Sequence, residues 1–329
     1  MRVAIAGLGA ASVRGHLPAL ARLGSERVLR LVGAADPNVE RRTAVATRLC
    51  GLPVFDSTEA MLASVRSDVL IVASEPSMHA RLAALGVRHG QHVVCEKPLA
   101  LTRAHQEDVA DAYSGAIDRA LVSVHQYRYS PTWVSLSSRA RLLARSRTPF
   151  ELTVSIERDG TDRHAVTPWR ADLTKSGGML ADHGVHFLAL AWTIDKALEV
   201  LSVERTVDRG GRERSRARLR LASGDLEIHL SAAARERHTR VDLTAATVTW
   251  SWIDDRVVLR LNESVVDSRR SDALSDRRHV DALYEPFYRH LVANLQNDSW
   301  RMRRWSEALG VSSALVTLLD HLQTGRAAA

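Results

Sequence analysis

The stretch Val-Ala-Ile-Ala-Gly-Leu-Gly-Ala-Ala-Ser, residues 3–12, is the part of the sequence that decides the fold. Its first four residues form a short apolar run, which is typical of a buried strand. Gly7 and Gly9 follow at once, and a helical pattern begins near residue 16. Because a strand, a glycine-rich turn and a helix succeed one another, we predict the first βα unit of a parallel sheet.

The alternation of strands and helices continues over the first third of the chain. Further strands are predicted at four apolar runs, Val28–Ala35, Asp68–Ala73, His92–Cys95 and Leu121–Val124. Helical segments separate these runs, which indicates βαβ units with right-handed crossovers. Residues 1–125 are therefore predicted to form one α/β domain around a parallel sheet.

The pattern changes near Pro149. Period-two alternation over residues 151–156, and again between about 200 and 261, predicts an antiparallel sheet with one covered face. One helix is predicted over Gly177–Ile194, and two more, near 283–295 and 306–322, close the chain. The predicted second domain, residues 126–329, is thus an α+β domain with an open, mostly antiparallel sheet, and its final helices pack back on the chain.

Composition restricts the class of protein. The chain has 329 residues, of which 45% are hydrophobic and 25% are charged, which is ordinary for a globular protein of two domains. Cys50 and Cys95 form neither a metal-type pair nor a disulfide framework, so a cytoplasmic location is expected. The first residues show no signal-peptide pattern. The longest apolar run, Val185–Ile194, contains His186 and is too short to span a membrane.

The charge of the chain is strongly basic, with a formal net charge of +7 and a pI of about 10.0. Nearly all of the positive charge comes from arginines that are scattered along the chain, without a basic tail or interleaved aromatic residues. Nucleic-acid binding is therefore not expected. A basic surface favours anionic small ligands, such as a nucleotide or a phosphorylated substrate.

The glycine turn has the features of a phosphate-binding loop. Gly7 permits a tight turn, and Gly9 lets the backbone approach a pyrophosphate, which the N–H groups of the following helix would bind. Ser12 stands where the full fingerprint has glycine or alanine, and it is small enough for close packing. The predicted pyrophosphate contacts are Gly7, Gly9, Ala10, Ala11 and Ser12.

Asp36 ends the second predicted strand, at the distance expected for contact with the adenosine ribose of a dinucleotide. A carboxylate there accepts hydrogen bonds from both ribose hydroxyls and repels a 2′-phosphate, so the predicted cofactor is NAD. Arg41 and Arg42 lie just downstream and keep NADP open as the alternative. Asp36 before Pro37 would also suit a helix cap.

Two further cofactor contacts are predicted after the strand that ends at Ala73. Ser74 and His79 lie where α/β sheets bind their ligands, outside the carboxyl ends of the strands. His79 would equally suit a cap for the helix that follows.

A second landmark, Cys-Glu-Lys-Pro-Leu-Ala at residues 95–100, follows a strand, and a Gly-Gly pair at 177–178 is followed by Asp182-x-x-x-His186. With the glycine turn, this combination resembles the glucose–fructose oxidoreductase and inositol dehydrogenase family (Gfo/Idh/MocA). The resemblance implies a Rossmann domain that binds NAD or NADP, and a second domain whose open sheet joins subunits into a homodimer or homotetramer. Members of this family oxidise or reduce a hydroxyl-bearing carbon of a sugar, cyclitol or related polyol.

The resemblance also implies roles for individual residues. Glu96 and Lys97 contact the cofactor, and Lys97, Asp182 and His186 form the catalytic group. Histidine suits the removal of a hydroxyl proton near neutral pH, and lysine stabilises a developing alkoxide. Asp182 and His186 are four positions apart and share one face of the predicted helix, where the carboxylate can orient the imidazole or bind a substrate hydroxyl. Pro98 often follows a cis peptide bond in such proteins.

Substrate contacts are expected around the same group. The predicted substrate-binding residues are Lys97, Tyr127, Arg128, Trp169, Arg170, Asp182, His183 and His186. Trp169 and Arg170 line the pocket by resemblance, although a packing tryptophan beneath a solvent-directed arginine explains them as well. His125 and His164 are further candidates. No metal is predicted, because adjacent helical positions diverge by about 100° and the acid and two histidines at 182–186 do not converge.

The sequence therefore predicts an NAD(P)-dependent oxidoreductase that transfers a hydride between nicotinamide and a carbinol or keto carbon of a small polyol, sugar, cyclitol or nucleotide-sugar-like substrate. One alternative is a cofactor-retaining enzyme without net redox change, or an imine reductase, of the same family. A second alternative is a dinucleotide-binding sensor without turnover. The presence of Lys97, Asp182 and His186 disfavours the sensor, which has no need of proton-handling residues.

Overall fold

The computed structural model describes residues 1–159, 168–272, 274 and 276–324. The chain divides into two compact units. The first comprises Met1–Gln126 together with Asp281–Leu309, and the second comprises Tyr127–Val280 and the residues from Gly310 onward. Residues 281–309 belong by position to the predicted second domain, yet they pack with the first unit.

The first unit is built on a sheet of six parallel strands. In chain order the strands are β1 (Arg2–Ala6), β2 (Arg30–Ala35), β3 (Val54–Phe55), β4 (Val69–Val72), β5 (His92–Cys95) and β6 (Leu121–Ser123). They lie in the order β3-β2-β1-β4-β5-β6, so the direction of winding reverses at β1, between β2 and β4. Sheets of this kind bind ligands in the crevice at that reversal, outside the carboxyl ends of the strands.

Helices connect these strands, and side-chain caps define where several of them begin. A π-helical turn, Ser12–His16, leads into α1 (Leu17–Ser25), which is followed by α2 (Val39–Arg48), α3 (Thr58–Ser64), α4 (Pro76–Arg88) and α5 (Arg103–Ser114). The side chain of Asn38 accepts from the backbone N–H of Arg41 at the start of α2. Thr102 accepts in the same way from His105 at the start of α5.

The second unit contains a sheet of eight strands. It begins with a 3₁₀ turn (Gln126–Tyr129), α6 (Pro131–Arg145), β7 (Phe150–Asp159), α7 (Pro168–Ala171), α8 (Leu173–Ser176), a π-helical turn (Leu180–Gly184) and α9 (Val185–Ile194). The remaining strands are β8 (Glu199–Val207), β9 (Glu213–Leu221), β10 (Gly224–Ala234), β11 (His238–Ala245), β12 (Val248–Ile253), β13 (Arg256–Leu261) and β14 (Ser264–Arg270). The order is β14-β13-β12-β11-β7-β10-β9-β8, and of these pairings β7 with β10 is parallel while the others are antiparallel.

Strand β9 shows why this sheet has one covered face. Ala217, Leu219 and Leu221 are buried, whereas the arginines at 214, 216, 218 and 220 between them are exposed. Successive side chains of a strand point to opposite faces, so the apolar row faces the core and the arginines face outward. The predicted fold class, a parallel sheet followed by an open, mostly antiparallel sheet, is confirmed.

Three helices close the described part of the chain: α10 (Arg277–Ala282), α11 (Tyr284–Asn294) and α12 (Asp298–Thr324). Helix α11 packs beside α1, where Arg289 forms an ion pair with Glu26 at 2.7 Å. Within the ranges that the structure describes, none of the helices is both long and apolar enough to cross a membrane.

The predicted single helix over Gly177–Ile194 is wrong in its first part. Gly177 and Gly178 have φ angles of 70° and 72°, left-handed values that end α8. The π-helical turn then intervenes, and α9 begins only at Val185. The spacing of apolar residues does not depend on backbone handedness, so the sequence pattern predicts a continuous helix across this break.

Candidate active site

Gly7 lies at the crevice between β1 and β4. Its φ angle is +95°, and a Cβ atom there would lie 2.5 Å from the backbone of Ala73 and Ser74. Glycine is required, because a side chain would collide with the backbone that follows β4. A Cβ at Gly9 would meet nothing within 4 Å, so this part of the loop faces open space. That space is a cradle of the kind that a pyrophosphate fills.

Ser12 closes the glycine loop from within. Its side chain is fully buried, and its Oγ donates to the carbonyl oxygen of Gly7 at 2.5 Å. Ala10 and Ala11 form the helical residues just before it and are partly buried. A small residue at position 12 is therefore compatible with close packing, and its hydroxyl adds a bond that glycine or alanine would lack.

Asp36 connects the glycine loop to the end of β2. Only 3% of its surface is exposed. One carboxylate oxygen accepts from the backbone N–H of Leu8 at 2.7 Å, and the other accepts from that of Asn38 at 2.8 Å. Each oxygen has a further lone pair for a ribose hydroxyl. The cradle and the acid joined to it fit a dinucleotide cofactor.

The two arginines after Asp36 have different surroundings. Arg42 donates from Nη1 to the carbonyl oxygens of Asp36 and Pro37, at 2.8 and 2.9 Å. Arg41 is half exposed, and its Nη1 lies 3.6 Å from the Asp36 carboxylate. Arg42 therefore supports the backbone, while Arg41 places a positive charge beside the acid.

His79 ties two loops of the first unit together. It lies in the first turn of α4 and is 1% exposed. Its Nδ1 is 2.7 Å from the carbonyl oxygen of Pro98, and its Nε2 is 3.1 Å from that of Ser74. Burial lowers the pKa of His79, against the two carbonyl contacts, which favour the charged ring. The neutral ring has one N–H, which the shorter contact assigns to Nδ1.

The segment that His79 reaches contains the Lys97–Pro98 peptide bond, which is cis. The hydroxyl of Ser74 donates to the carbonyl oxygen of Glu75 at 3.3 Å. The predicted cofactor residues Ser74 and Lys97 thus lie in segments after β4 and β5, and His79, in the first turn of α4, contacts both segments. The structure brings these three together within the first unit.

Glu96 follows β5 and is buried beside Lys97. Its Oε1 lies 2.6 Å from the hydroxyl of Tyr284 and 3.0 Å from Nε2 of His16. Its Oε2 accepts from the backbone N–H of Lys97 at 3.2 Å. Burial by itself raises the pKa of Glu96, but the hydrogen bonds from His16 and Tyr284 and the charge of Lys97 outweigh it, so the pKa lies below its ordinary value. The carboxylate is therefore ionised at neutral pH.

A buried ion pair supports the turn before the second π-helical segment. Glu213 accepts from the backbone N–H of Met179 at 2.9 Å and lies 3.2 Å from Nε of Arg205. Arg205 in turn donates to the carbonyl oxygen of Gly177 at 2.7 Å. A Cβ at Gly178 would lie 2.5 Å from the Glu213 carboxylate, so the turn and the acid fit together only with glycine there. The pair fixes where the π-helical turn begins.

Asp182 lies within that turn. Its Oδ2 is 3.9 Å from Nε of Arg170 and 3.6 Å from Nε2 of His183. The guanidinium of Arg170 also covers the ring of Trp169, with its Cζ 4.2 Å from the ring centroid. The structure therefore brings together four of the residues predicted to contact substrate.

His186 stands in the first turn of α9 and is 3% exposed. Its ring stacks on that of Tyr127, with centroids 4.2 Å apart and planes inclined by 19°. Tyr127 meets Trp133 edge-on at 5.7 Å. Arg128, in the same 3₁₀ turn as Tyr127, is partly buried. Asp182 and His186 thus lie on either side of the junction between the π-helical turn and α9, rather than on one regular helix.

The sequence analysis predicts no functional role for several residues of this arrangement. They are His16, Tyr284 and Tyr288 in the first unit, and Arg205 and Glu213 in the second. For the three residues of the first unit the local signal is a polar residue beside an apolar helical stripe, and for Arg205 and Glu213 it is a charged residue in a strand; many surface residues share both signals. His164 lies outside the described residues. Among the residues that are described, no three His, Cys, Asp or Glu side chains are grouped so that they could hold a metal ion.

A parallel sheet whose first strand ends in a glycine cradle, joined to an acid at the end of the second strand, defines a dinucleotide-binding Rossmann domain. Residues 1–123 match the model of the GFO_IDH_MocA oxidoreductase family, described as an NAD-binding Rossmann fold. The match covers the first part of the chain and agrees with the family resemblance that its motifs predict. The predicted cofactor class agrees with that description.

Named relatives match part of the chain. It is 28% identical over 194 residues to D-glucoside 3-dehydrogenase of Escherichia coli, which covers 58% of this chain and 53% of that protein. It is 30% identical over 207 residues to inositol 2-dehydrogenase 1 of Saccharopolyspora erythraea, which covers 62% and 57% respectively. The chain thus spans about half the length of these relatives.

Solved structures share the fold over nearly the whole chain. The WlbA dehydrogenase from Bordetella pertussis, in complex with NADH and UDP-GlcNAcA, has a TM-score of 0.78 at 21% identity and covers 99% of this chain and 97% of its own. A dehydrogenase from Chromobacterium violaceum has a TM-score of 0.78 at 17% identity, with coverages of 99% and 95%. At these identities the likeness concerns the fold alone.

Proposed function

We propose that the protein is an NAD(P)-dependent oxidoreductase that transfers a hydride between nicotinamide and the carbinol or keto carbon of a sugar, cyclitol or nucleotide-sugar-like substrate. The observation that carries the proposal is the bond from the Leu8 N–H to Asp36, which joins the glycine cradle to a buried acid in the unit that also contains Lys97. The names of two relatives, a glucoside dehydrogenase and an inositol dehydrogenase, support the substrate class.

The cofactor is assigned as NAD, with NADP as the weaker alternative. Gly7, Gly9 and the residues up to Ser12 hold the pyrophosphate, and Asp36 accepts from the adenosine ribose. A buried carboxylate at this position repels a 2′-phosphate. Arg41, 3.6 Å from the acid, offsets part of that repulsion. Bound nicotinamide supplies the hydride chemistry, and the chain supplies position and charge.

Three side chains handle the proton and the substrate oxygen in this proposal. His186 is the base that takes the hydroxyl proton, and Lys97 stabilises negative charge on the substrate oxygen. Asp182 orients the imidazole or binds a substrate hydroxyl. Tyr127, stacked on the His186 ring at 4.2 Å, limits the rotation of the imidazole. A base held in one orientation transfers a proton more effectively than one that must find its position.

Arg170 is the proposed contact for a further hydroxyl or for an anionic group of the substrate. Its stacking on Trp169 fixes the guanidinium plane, and its Nε lies 3.9 Å from Asp182. An arginine held in this way presents paired N–H donors, which match a carboxylate or a phosphate. This arrangement supports a charged substrate, such as a nucleotide sugar, and nucleotide sugars are therefore included in the substrates tested below.

The two units have different binding roles in this proposal. The first binds the dinucleotide and the second binds the substrate. The outward face of the eight-stranded sheet joins subunits into a homodimer or homotetramer, and the protein acts in the cytoplasm. The interface is proposed from the family resemblance; on that face Arg216 of β9 pairs with Glu227 of β10 within the chain.

The test is cofactor-linked turnover of the purified protein on a panel of sugars, cyclitols and nucleotide sugars, followed by the absorbance of the reduced nicotinamide, with NAD and NADP in parallel. We expect one class of substrate to reduce NAD. Lys97→Ala should lower kcat by at least about 100-fold, because it removes a group that acts on the reacting oxygen. Lys196→Ala changes an exposed lysine and is the matched control.

Tight cofactor binding without turnover on the whole panel would contradict polyol oxidation. A second panel, of the corresponding keto compounds and of imines, assayed with NADH, then distinguishes a reductase. Conversion of substrate with the cofactor retained and unchanged would favour the enzyme without net redox change. Binding without any conversion would favour the sensor.

A further inference from the structure

A buried polar cluster lies beside Lys97 within the first unit. Its members are each at most 5% exposed, and they come from the end of the π-helical turn, from the end of β5 and from α11: His16, Glu96, Tyr284 and Tyr288. Four polar side chains buried together need a physical reason, because an unpaired polar group in the interior costs free energy.

The donors and acceptors of this cluster are matched. Tyr284 donates to Oε1 of Glu96 at 2.6 Å, and Nε2 of His16 lies 3.0 Å from the same oxygen. The hydroxyl of Tyr288 is 2.5 Å from Nδ1 of His16. Burial raises the pKa of both tyrosines, so they keep their protons and act as donors. With the Tyr288 hydroxyl assigned as the donor to Nδ1, His16 donates from Nε2 to the carboxylate.

The cluster connects the glycine loop with Lys97. His16 ends the π-helical turn that begins at Ser12, and the Ser12 hydroxyl bonds to the carbonyl oxygen of Gly7 at 2.5 Å. On the other side, the second oxygen of Glu96 accepts from the backbone N–H of Lys97 at 3.2 Å. Hydrogen bonds and one short helical turn therefore form a continuous connection from the glycine loop to the backbone of Lys97.

Packing alone does not explain a charge in this place. A buried ionised group is often no more stabilising than apolar side chains of the same volume. What a fully matched polar network adds is a single orientation for its members, because a shift of any one leaves another unpaired. Orientation is the property that the loop carrying Lys97 needs.

We propose that Glu96 is a positioning residue which, held by His16 and Tyr284, aims Lys97 and links its position to that of the glycine loop. The inference rests on the proposed function, since it treats Lys97 as a group that acts in hydride transfer. It goes beyond that function by coupling the position of the glycine loop to the geometry of the lysine.

The protonation state of Glu96 gives this coupling a pH dependence. The groups that face Glu96 are His16, His79, Cys95, Lys97, Tyr284 and Tyr288. Because the pKa of Glu96 is lowered, the network is intact at neutral pH and is lost as the pH falls through that lowered pKa. Removing the Tyr284 hydroxyl withdraws one of the groups that lower it, so the loss should move to higher pH.

The experiment compares Tyr284→Phe and Glu96→Gln with Tyr113→Phe. The Tyr113 hydroxyl is also buried in the first unit, where it donates to the carbonyl oxygen of Ala120 away from the cluster, so it is the matched control. Two quantities are measured from about pH 3 to pH 9, a range that includes the lowered pKa of Glu96: the dissociation constant of NADH by fluorescence titration, and kcat on the substrate found above. We expect Tyr284→Phe to lower kcat about tenfold and to move its acidic limb to higher pH.

The NADH titration keeps the two proposals separate. If the wild-type protein oxidises nothing, yet Tyr284→Phe alters the pH dependence of NADH binding and Tyr113→Phe does not, the proposed function fails and the coupling stands. Identical pH profiles for Tyr284→Phe and Tyr113→Phe, in both binding and kcat, overturn the coupling. Should Glu96→Gln not fold, Tyr288→Phe takes its place, because it removes the outer donor and leaves the carboxylate.

Discussion

Replacing Glu213 by glutamine tests whether the second unit needs a buried charge to hold the turn before Asp182. The substitution keeps the size of the side chain and removes the negative charge opposite Arg205, whose Nε lies 3.2 Å away. It also weakens the acceptors for the Met179 N–H and the Ser215 hydroxyl, which lie 2.9 and 2.5 Å from the carboxylate.

The expected loss of stability follows from the burial of this pair. The side chains of Arg205 and Glu213 are only 14% and 9% exposed. Breaking a buried ion pair by removing one partner costs about 3–5 kcal/mol. Glutamine keeps one acceptor oxygen, and Arg205 keeps its bond to Gly177, so we expect about 3 kcal/mol. For a unit of this size that corresponds to a fall in Tm of about 6–12 °C.

The assay is urea unfolding, followed by tryptophan fluorescence, of wild type, Glu213→Gln and Glu204→Gln. Glu204 is exposed on the neighbouring strand β8, so its change should stay within about 0.5 kcal/mol. Glu213→Gln should also lower kcat while the dissociation constant of NADH stays unchanged, because the residue belongs to the other unit. A loss of unfolding free energy no greater than that of the control would refute the reasoning.

Three further changes address the first unit. Gly7→Ala places a Cβ 2.5 Å from the backbone of Ala73 and should weaken NADH binding at least about 100-fold by fluorescence titration, whereas Gly51→Ala has a comparable positive φ without a collision and should not. Asp36→Ser removes the charge that repels a 2′-phosphate, so the ratio of kcat/KM for NADP over NAD should rise at least about tenfold; an unchanged ratio would argue against the assigned role. Because burial lowers the pKa of His79, the neutral ring stabilises the fold, and this contribution is lost as the pH falls below the ordinary value of 6.5. His79→Gln should therefore flatten the dependence of unfolding free energy on pH between about 7 and 5, measured by urea titration, and a slope equal to that of wild type would count against it.

The parts of the site that could be predicted from the sequence are those that neighbouring residues define. Gly7 and Asp36 belong to one strand–helix–strand unit, so the glycine turn, the acid and their relative position all follow from a local pattern. Glu96 and Lys97 are found in the same way, since they come directly after a strand.

The parts that could not be predicted depend on contacts between distant segments. The bond from Tyr284 to Glu96 joins residues 188 positions apart, and no local pattern contains both. The apolar stripe of α11 shows that the helix is half buried, but it does not show which elements the helix packs against. For that reason the sequence pattern places residues 281–309 in the second domain, with the final helices packing back on the chain. The break at Gly177 is missed because backbone handedness leaves apolar spacing unchanged.

The return of α11 to the first unit has a consequence for protein synthesis. The first part of that unit ends at Gln126, and its remainder begins at Asp281, about 150 residues later. At about 5–20 residues per second, a ribosome needs roughly 8–30 s to make the intervening chain. Throughout that interval Glu96 and His16 lack both tyrosine hydroxyls, so the nascent sheet contains an acid without its full set of donors. We therefore expect that a transfer of the dinucleotide-binding half into another protein requires α11 as a second, separate segment.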